Sequence, residues 1–158
     1  MAHKNNVNNT LTHRGERSKT GQEMILFLKR KLKTIFEEYE VDFSYLGGSW
    51  VNNENNWWSD IDIFISVPNF LQFSSKIQLN FLTQLHVKAT DLTNYEEIEI
   101  SVLETLPLHI QFSVISNGIL LYEKFTDICS HFIEKLLPLY YDHMIWYNKL
   151  LNQSEYIY

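Results

Sequence analysis

Two aspartates, Asp60 and Asp62, stand one residue apart within the apolar run Ile61, Ile63, Phe64, Ile65 and Val67, and they constrain this chain more than any other feature. In a β-strand, alternate side chains share a face, with their Cα atoms roughly 6.6 Å apart. Asp60 and Asp62 therefore project together while Ile61 and Ile63 turn to the core. Their charges repel, and no Lys or Arg lies nearby in sequence. A divalent cation removes that cost, and hard carboxylate oxygens suit Mg²⁺ or Mn²⁺.

With ten residues between it and Asp60, Ser49 closes the run Gly47-Gly48-Ser49 in which the β-leaning segment Val41 to Leu46 ends. Glycine at a strand end lets backbone approach a ligand closely. Ser49 adds a hydroxyl and stands where a following helix can aim its amides at phosphate oxygens. Gly48, Ser49 and Ser59, the residue before Asp60, are the candidate nucleotide-binding residues. A third carboxylate is expected from the alternating segment 97–103. There Glu97 and Glu99 share the polar face, while Ile98 and Ile100 take the other. Three carboxylates can hold two metals, one activating an attacking hydroxyl and the other binding a triphosphate and its leaving pyrophosphate. Each part alone has an ordinary reading: a turn, an exposed aspartate pair, solvent-facing glutamates. Their joint order, strand, Gly-Ser, ten residues, Asp-x-Asp, strand, Glu, points to metal-assisted nucleotidyl transfer.

The surrounding sequence supplies a frame for such a site. Thr20 and Glu23 form a capping signature, and Ile25, Leu28, Leu32, Ile35, Phe36 and Tyr39 follow at helical spacing. Lys29, Arg30, Lys31 and Lys33 fall mostly on the opposite, solvated side. Strands are expected at Val41 to Leu46, Asp60 to Val67 and 97–103. A helix is expected within 70–86, using Leu71, Ile77, Phe81, Leu82 and Leu85. After Pro107 a helix should run to Asn117-Gly118, with Gly118 as a left-handed cap. A short strand at Ile119 to Tyr122 and a helix over about 126–152, kinked or divided by Pro138, complete the order α-β-β-α-β-α-β-α. The fold class is α/β (α+β), a small mixed sheet flanked by helices. Residues 1–19 read as a mobile polar tail, 20–152 as the domain and 153–158 as a C-terminal tail.

With 158 residues, 45% of them hydrophobic, the chain fits one domain with one core. No apolar run approaches the roughly 20 residues of a membrane span, and no secretory signal is visible, so a cytoplasmic location is expected. The net charge of −6 hides a basic start: beyond residue 20 there are nine basic and 18 acidic residues. Such a surface is a poor binder of nucleic-acid backbone, so direct nucleic-acid binding is not expected. Cys129 is the only cysteine, and Cys129 with His131 lacks the second pair that a structural zinc needs. His86, His109 and His143 lie in expected helices without a nucleophile motif.

The motif Gly48-Ser49, ten residues, Asp60-Ile61-Asp62 resembles the signature of minimal nucleotidyltransferases of the polymerase-β superfamily. The run Ile98 to Pro107 is similar to that family's third-carboxylate strand and favours Glu99 over Glu97. Asn117 to Glu123 resembles its short strand, and Phe132 to Asp142 its C-terminal helix. The resemblance spans most of residues 22–150 and is closest to the antitoxins of HEPN–minimal nucleotidyltransferase toxin–antitoxin pairs. It implies a polymerase-β-like nucleotidyltransferase fold. It also implies metal bound by Asp60, Asp62 and Glu99, ATP as substrate, and transfer of AMP to a tyrosine of a HEPN ribonuclease partner. The chain departs from the family in two ways. Asn52-Asn53 replaces the common Arg-Gly pair, and no arginine follows Arg30, so triphosphate charge falls to metal, backbone or lysines. Trp57 and Trp58 either pack on the sheet or on a partner, or flank a base. Two other functions fit the same fold: a catalytically weak or dead antitoxin acting by binding, and a small-molecule nucleotidyltransferase of the antibiotic type.

Overall fold

The computed structural model describes residues 21–51 and 59–154. Residues 1–19, the Thr20 cap, Asn52-Asn53, Trp57-Trp58 and residues 155–158 lie outside the described residues. Helix α1 (Gly21–Glu38) forms because Met24, Leu28, Leu32 and Phe36 recur every fourth residue, with Phe27 and Ile35 beside them. These six side chains are buried, while Ile25 and Tyr39 pack only at the margin. The helix's basic residues are exposed, as their spacing requires.

Strand β1 (Phe43–Leu46) leads through a 3-10 turn at Gly48–Trp50 to β2 (Ile61–Ser66). Helix α2 (Ser75–Thr93) follows a second 3-10 turn, then β3 (Ile98–Val102), α3 (Leu108–Asn117), β4 (Ile119–Glu123) and α4 (Ile128–Ser154). The strand order is β3-β2-β1-β4. β1 runs antiparallel to both β2 and β4, and β2 runs parallel to β3. The order of helices and strands is the expected one, and the fold is a mixed α+β sheet layer.

One face of the sheet carries Leu46, Ile61, Ile63, Ile65, Ile98 and Val102 against α1 and α2. The other carries Phe43 and Tyr45, with Phe64 and Leu120 beside them, packed with Val114 of α3 and Cys129 and Phe132 of α4. Tyr45 Oη meets Cys129 Sγ at 3.0 Å in this second core. Helices α3 and α4 cover the β1–β4 side of that face. Its β2–β3 side stays open, and there Asp60 and Glu99 are exposed and Asp62 half-buried.

Three local expectations are corrected. α2 extends past residue 86 because Leu85, Ala89 and Thr93 continue its buried stripe, and it ends where Asn94 adopts a left-handed φ of 61°. Leu71 and Ile77 are exposed at 62% and 54% rather than packed. Gly118 is extended, with φ −72°, so it is no left-handed cap. It is glycine for space, since a Cβ there would lie 2.4 Å from the Val114 carbonyl oxygen and 3.1 Å from that of Leu46. Pro138 does not divide the last helix, which runs over 27 residues with the proline inside it. It is exposed, so water can satisfy the carbonyl that lacks an amide partner. Beyond Tyr140, which stacks on Phe112 at 3.9 Å, the distal half of α4 leaves Ile145, Trp146 and Leu150 exposed.

Candidate active site

The site is built where β1 ends and β2 begins. The Gly47 amide donates to the Asp62 carbonyl at 2.9 Å, so the β1–β2 ladder continues into the glycine turn. Gly48 then turns left-handed, with φ +65°. A Cβ on Gly48 would lie 1.9 Å from Asp62 Oδ2, and one on Gly47 would lie 2.5 Å from Phe64 Cε2. The two glycines therefore serve the protein itself, since two side chains of one β2 face fold over the turn. The next residues, Ser49 and Trp50, form a 3-10 turn whose leading amides lie outside its own hydrogen bonding.

The β2–β3 register decides where the acidic residues meet. Asp62 pairs with Glu99, flanked by Ile61 with Ile98 and Ile63 with Ile100. Paired residues of adjacent strands point to the same face, so Asp62 and Glu99 stand side by side on the open face with Asp60 two residues away. Their proximity has an electrostatic consequence. Burial, then the Glu99 charge, then the Asp60 charge push the Asp62 carboxyl above its usual range. An ionised Asp62 is thus held at a cost that a cation would offset. Glu97 precedes β3, and its carbonyl oxygen accepts from the Ile61 amide at 2.8 Å. It belongs to the same face, one step further from Asp62.

The three carboxylates face one another without closing on a common point. Among the described residues, no group of three His, Cys, Asp or Glu side chains is gathered tightly enough to hold a metal ion. The donor chemistry fits a hard divalent ion: carboxylate oxygens on one face, one carboxyl destabilised by the other two. Holding an ion would require the carboxylates to draw closer together than they stand here, and Asp60 and Glu99 are both exposed.

Beside the turn lies a groove of ≈ 630 Å³, lined by Gly47, Gly48, Ser49 and Phe64 on one side and by Ile110, Ser113, Val114 and Asn117 of α3 on the other. Gly48 thus borders both the groove and the Asp62 carboxylate, and Ser49 borders the groove. Ser59 is half-buried in the coil before Asp60 and is not among the described residues lining the groove. The α3 residues were missed in sequence. A signal was present: 110, 113, 114 and 117 share one helical face, and Ser113 and Asn117 are polar residues on it.

Residues 30–127 match the family model described as polymerase beta, nucleotidyltransferase. The chain belongs to the polymerase beta nucleotidyltransferase family. The matched span holds the glycine turn, Asp60, Asp62 and Glu99, and the whole groove. No curated protein matches this nucleotidyltransferase domain significantly. Its solved structural neighbours share the fold at low identity. A chain of the tri-AMPylated Shewanella oneidensis HEPN toxin in complex with MNT antitoxin has a TM-score of 0.61 at 15% identity, covering 84% of this chain and 99% of that one. A chain of a toxin–antitoxin with AMP-PNP gives a TM-score of 0.57 at 15% identity, covering 87% and 99%. A chain of a mutant MntA-HpeT toxin–antitoxin gives 0.57 at 14%, with the same coverage. No described helix is long and apolar enough to cross a membrane.

Proposed function

We propose that this nucleotidyltransferase is a metal-dependent antitoxin that transfers AMP from ATP to a tyrosine of a HEPN ribonuclease partner. The observation that carries the reading is the in-register pairing of Asp62 with Glu99 beside the left-handed Gly48. Asp60, Asp62 and Glu99 would hold Mg²⁺ or Mn²⁺, and the ion would offset their mutual repulsion and polarise the triphosphate. Gly48 and Ser49 would bind phosphate oxygens through amides and the Ser49 hydroxyl, with Ser59 a further candidate contact. The groove between the turn and α3 has room for the rest of the nucleotide, where Ser113 and Asn117 offer hydrogen bonds. The acceptor and nucleotide are supported by the neighbours, one a complex with an AMPylated HEPN toxin and one holding AMP-PNP.

The test is incubation with Mg²⁺, ATP and the protein encoded next door, followed by intact-mass measurement. Addition of AMP to that neighbour, lost with Asp62→Asn, supports the reading. A second reading, neutralisation by binding alone, is favoured by the open spacing of the three carboxylates and the absence of arginine beyond Arg30. It predicts a tight complex with no mass change, unaffected by Asp60→Asn. Transfer to a small hydroxyl compound instead would show in an acceptor screen.

A further inference from the structure

Among the described residues β3 is an edge strand, with β2 on one side and no strand on the other. Along a strand, the N–H and C=O of one residue point the same way and those of the next point oppositely. The Glu97 carbonyl accepts from the β2 amide of Ile61, so the backbone groups of Glu97, Glu99 and Ser101 face β2. Those of Ile98, Ile100 and Val102 face outward. The Ile98 carbonyl meets His86 Nε2 at 2.9 Å, and the Val102 carbonyl accepts from the Thr105 hydroxyl at 2.7 Å. Between these two closed positions, Ile100 presents both an amide and a carbonyl at the edge.

Exposed edges are usually blunted by Lys, Pro, a bulge or a covering element. Ile98 to Val102 contains neither Lys nor Pro. Beside it runs a groove of ≈ 320 Å³ between β3 and α2, lined by Leu82, Thr83, His86, Val87 and Ile98 to Ile100. This groove therefore opens directly onto Glu99, the residue paired with Asp62.

We propose that this edge seats the acceptor: an extended segment of the partner protein adds to β3 as a further strand and presents its hydroxyl side chain to Glu99. The inference rests on the adenylyltransferase reading above and names how the acceptor is held. A residue pairing with Ile100 exchanges two backbone hydrogen bonds and turns its side chain toward Leu82 and Val87. The residues on either side of it turn to the carboxylate face, and one of them stands opposite Glu99 with Cβ atoms about 5 Å apart. Glu96, Glu97 and Glu99 rim the approach, so the segment is neutral or basic. In the transfer, the acceptor oxygen forms a bond to the α-phosphorus of ATP and the bond to pyrophosphate breaks. The hydroxyl proton passes to solvent.

The test uses a synthetic peptide spanning the partner's modified tyrosine, with ATP and Mg²⁺, and copies N-methylated at single backbone positions. Methylation at one residue adjacent to the tyrosine should lower kcat/KM about tenfold or more, the loss of a backbone hydrogen bond. Methylation at the tyrosine, whose amide points away from β3, should leave it near the parent value. Val87→Trp, which fills the groove from an exposed helix position, should raise the peptide KM and leave the ATP KM unchanged. Equal rates for all the peptides, or an unchanged peptide KM in Val87→Trp, overturn the edge proposal while the transfer activity stands. No transfer by the wild-type protein to the intact partner overturns the activity itself and the edge proposal with it.

Discussion

Replacing Gly48 by alanine tests the tie between the glycine turn and Asp62. Two separable terms follow from the structure. The φ of +65° costs an L-residue about 1–2 kcal/mol. The new Cβ would stand 1.9 Å from Asp62 Oδ2, where ordinary contact begins at 3.4 Å, so the carboxylate must withdraw. A displacement on the order of 1 Å in a catalytic group costs roughly 100-fold in rate, or about 2.7 kcal/mol of barrier. The backbone term alone is expected to lower the melting temperature of Gly48→Ala by about 2–8 °C, at roughly 2–4 °C per kcal/mol, and the clash with Asp62 should lower it further. It should also lower AMP transfer about 100-fold while the protein stays folded. Thermal unfolding by circular dichroism and transfer rates by intact mass read the two effects. In an Asp62→Ala background the carboxylate is gone, so the stability cost of Gly48→Ala should shrink to the backbone term. An identical cost in both backgrounds, or a folded Gly48→Ala protein with wild-type transfer, would refute the reasoning.

Three further outcomes are expected. Burial and the neighbouring acids raise the Asp62 carboxyl, so its charged form weighs against folding as pH rises through that raised value. Asp62→Asn should then be as stable as the parent or slightly more at neutral pH, by up to about 1 kcal/mol after solvent screening, and should lose transfer; urea unfolding against pH measures this. At the far end of the sheet, burial raises the Glu104 carboxyl, although a hydrogen bond from the Ser66 hydroxyl opposes the shift. Glu104→Gln keeps that acceptor and removes the charge, so its urea midpoint should exceed the parent's at neutral pH and match it below the ordinary glutamate range. Leu28 is fully buried in the α1 seam, and Leu28→Ala should cost about 2–5 kcal/mol in equilibrium unfolding with the fold retained.

The order of elements was legible where it rests on local periodicity: period two over Ile61 to Ser66, and helical spacing over Ile25 to Tyr39. The acidic constellation was legible for the same reason, since strand alternation alone puts Asp60, Asp62 and Glu99 on polar faces. What alternation does not carry is register. Only pairing across strands sets Asp62 against Glu99 rather than against Ser101 or Glu97. Gly48 was read as room for a ligand, yet the atom filling that room is Asp62 Oδ2, a tertiary contact with no sequence signature. Gly118 failed as a left-handed cap because its constraint comes from the Leu46 and Val114 carbonyls rather than from helix geometry. Leu71 and Ile77 were read as core from hydrophobicity, whereas the buried stripe of α2 lies further on, through Leu85 and Ala89.

The proposed function requires Asp62 and Glu99, joined by register across two strands, to grip one divalent ion against a nucleotide. Electron paramagnetic resonance of Mn²⁺ titrated with a non-hydrolysable ATP analogue reads that grip without any acceptor. Bound Mn²⁺ should be seen with the wild-type protein, and Glu99→Gln and Asp62→Asn should each weaken it at least about tenfold. Mn²⁺ affinity unchanged in Glu99→Gln would contradict the claim.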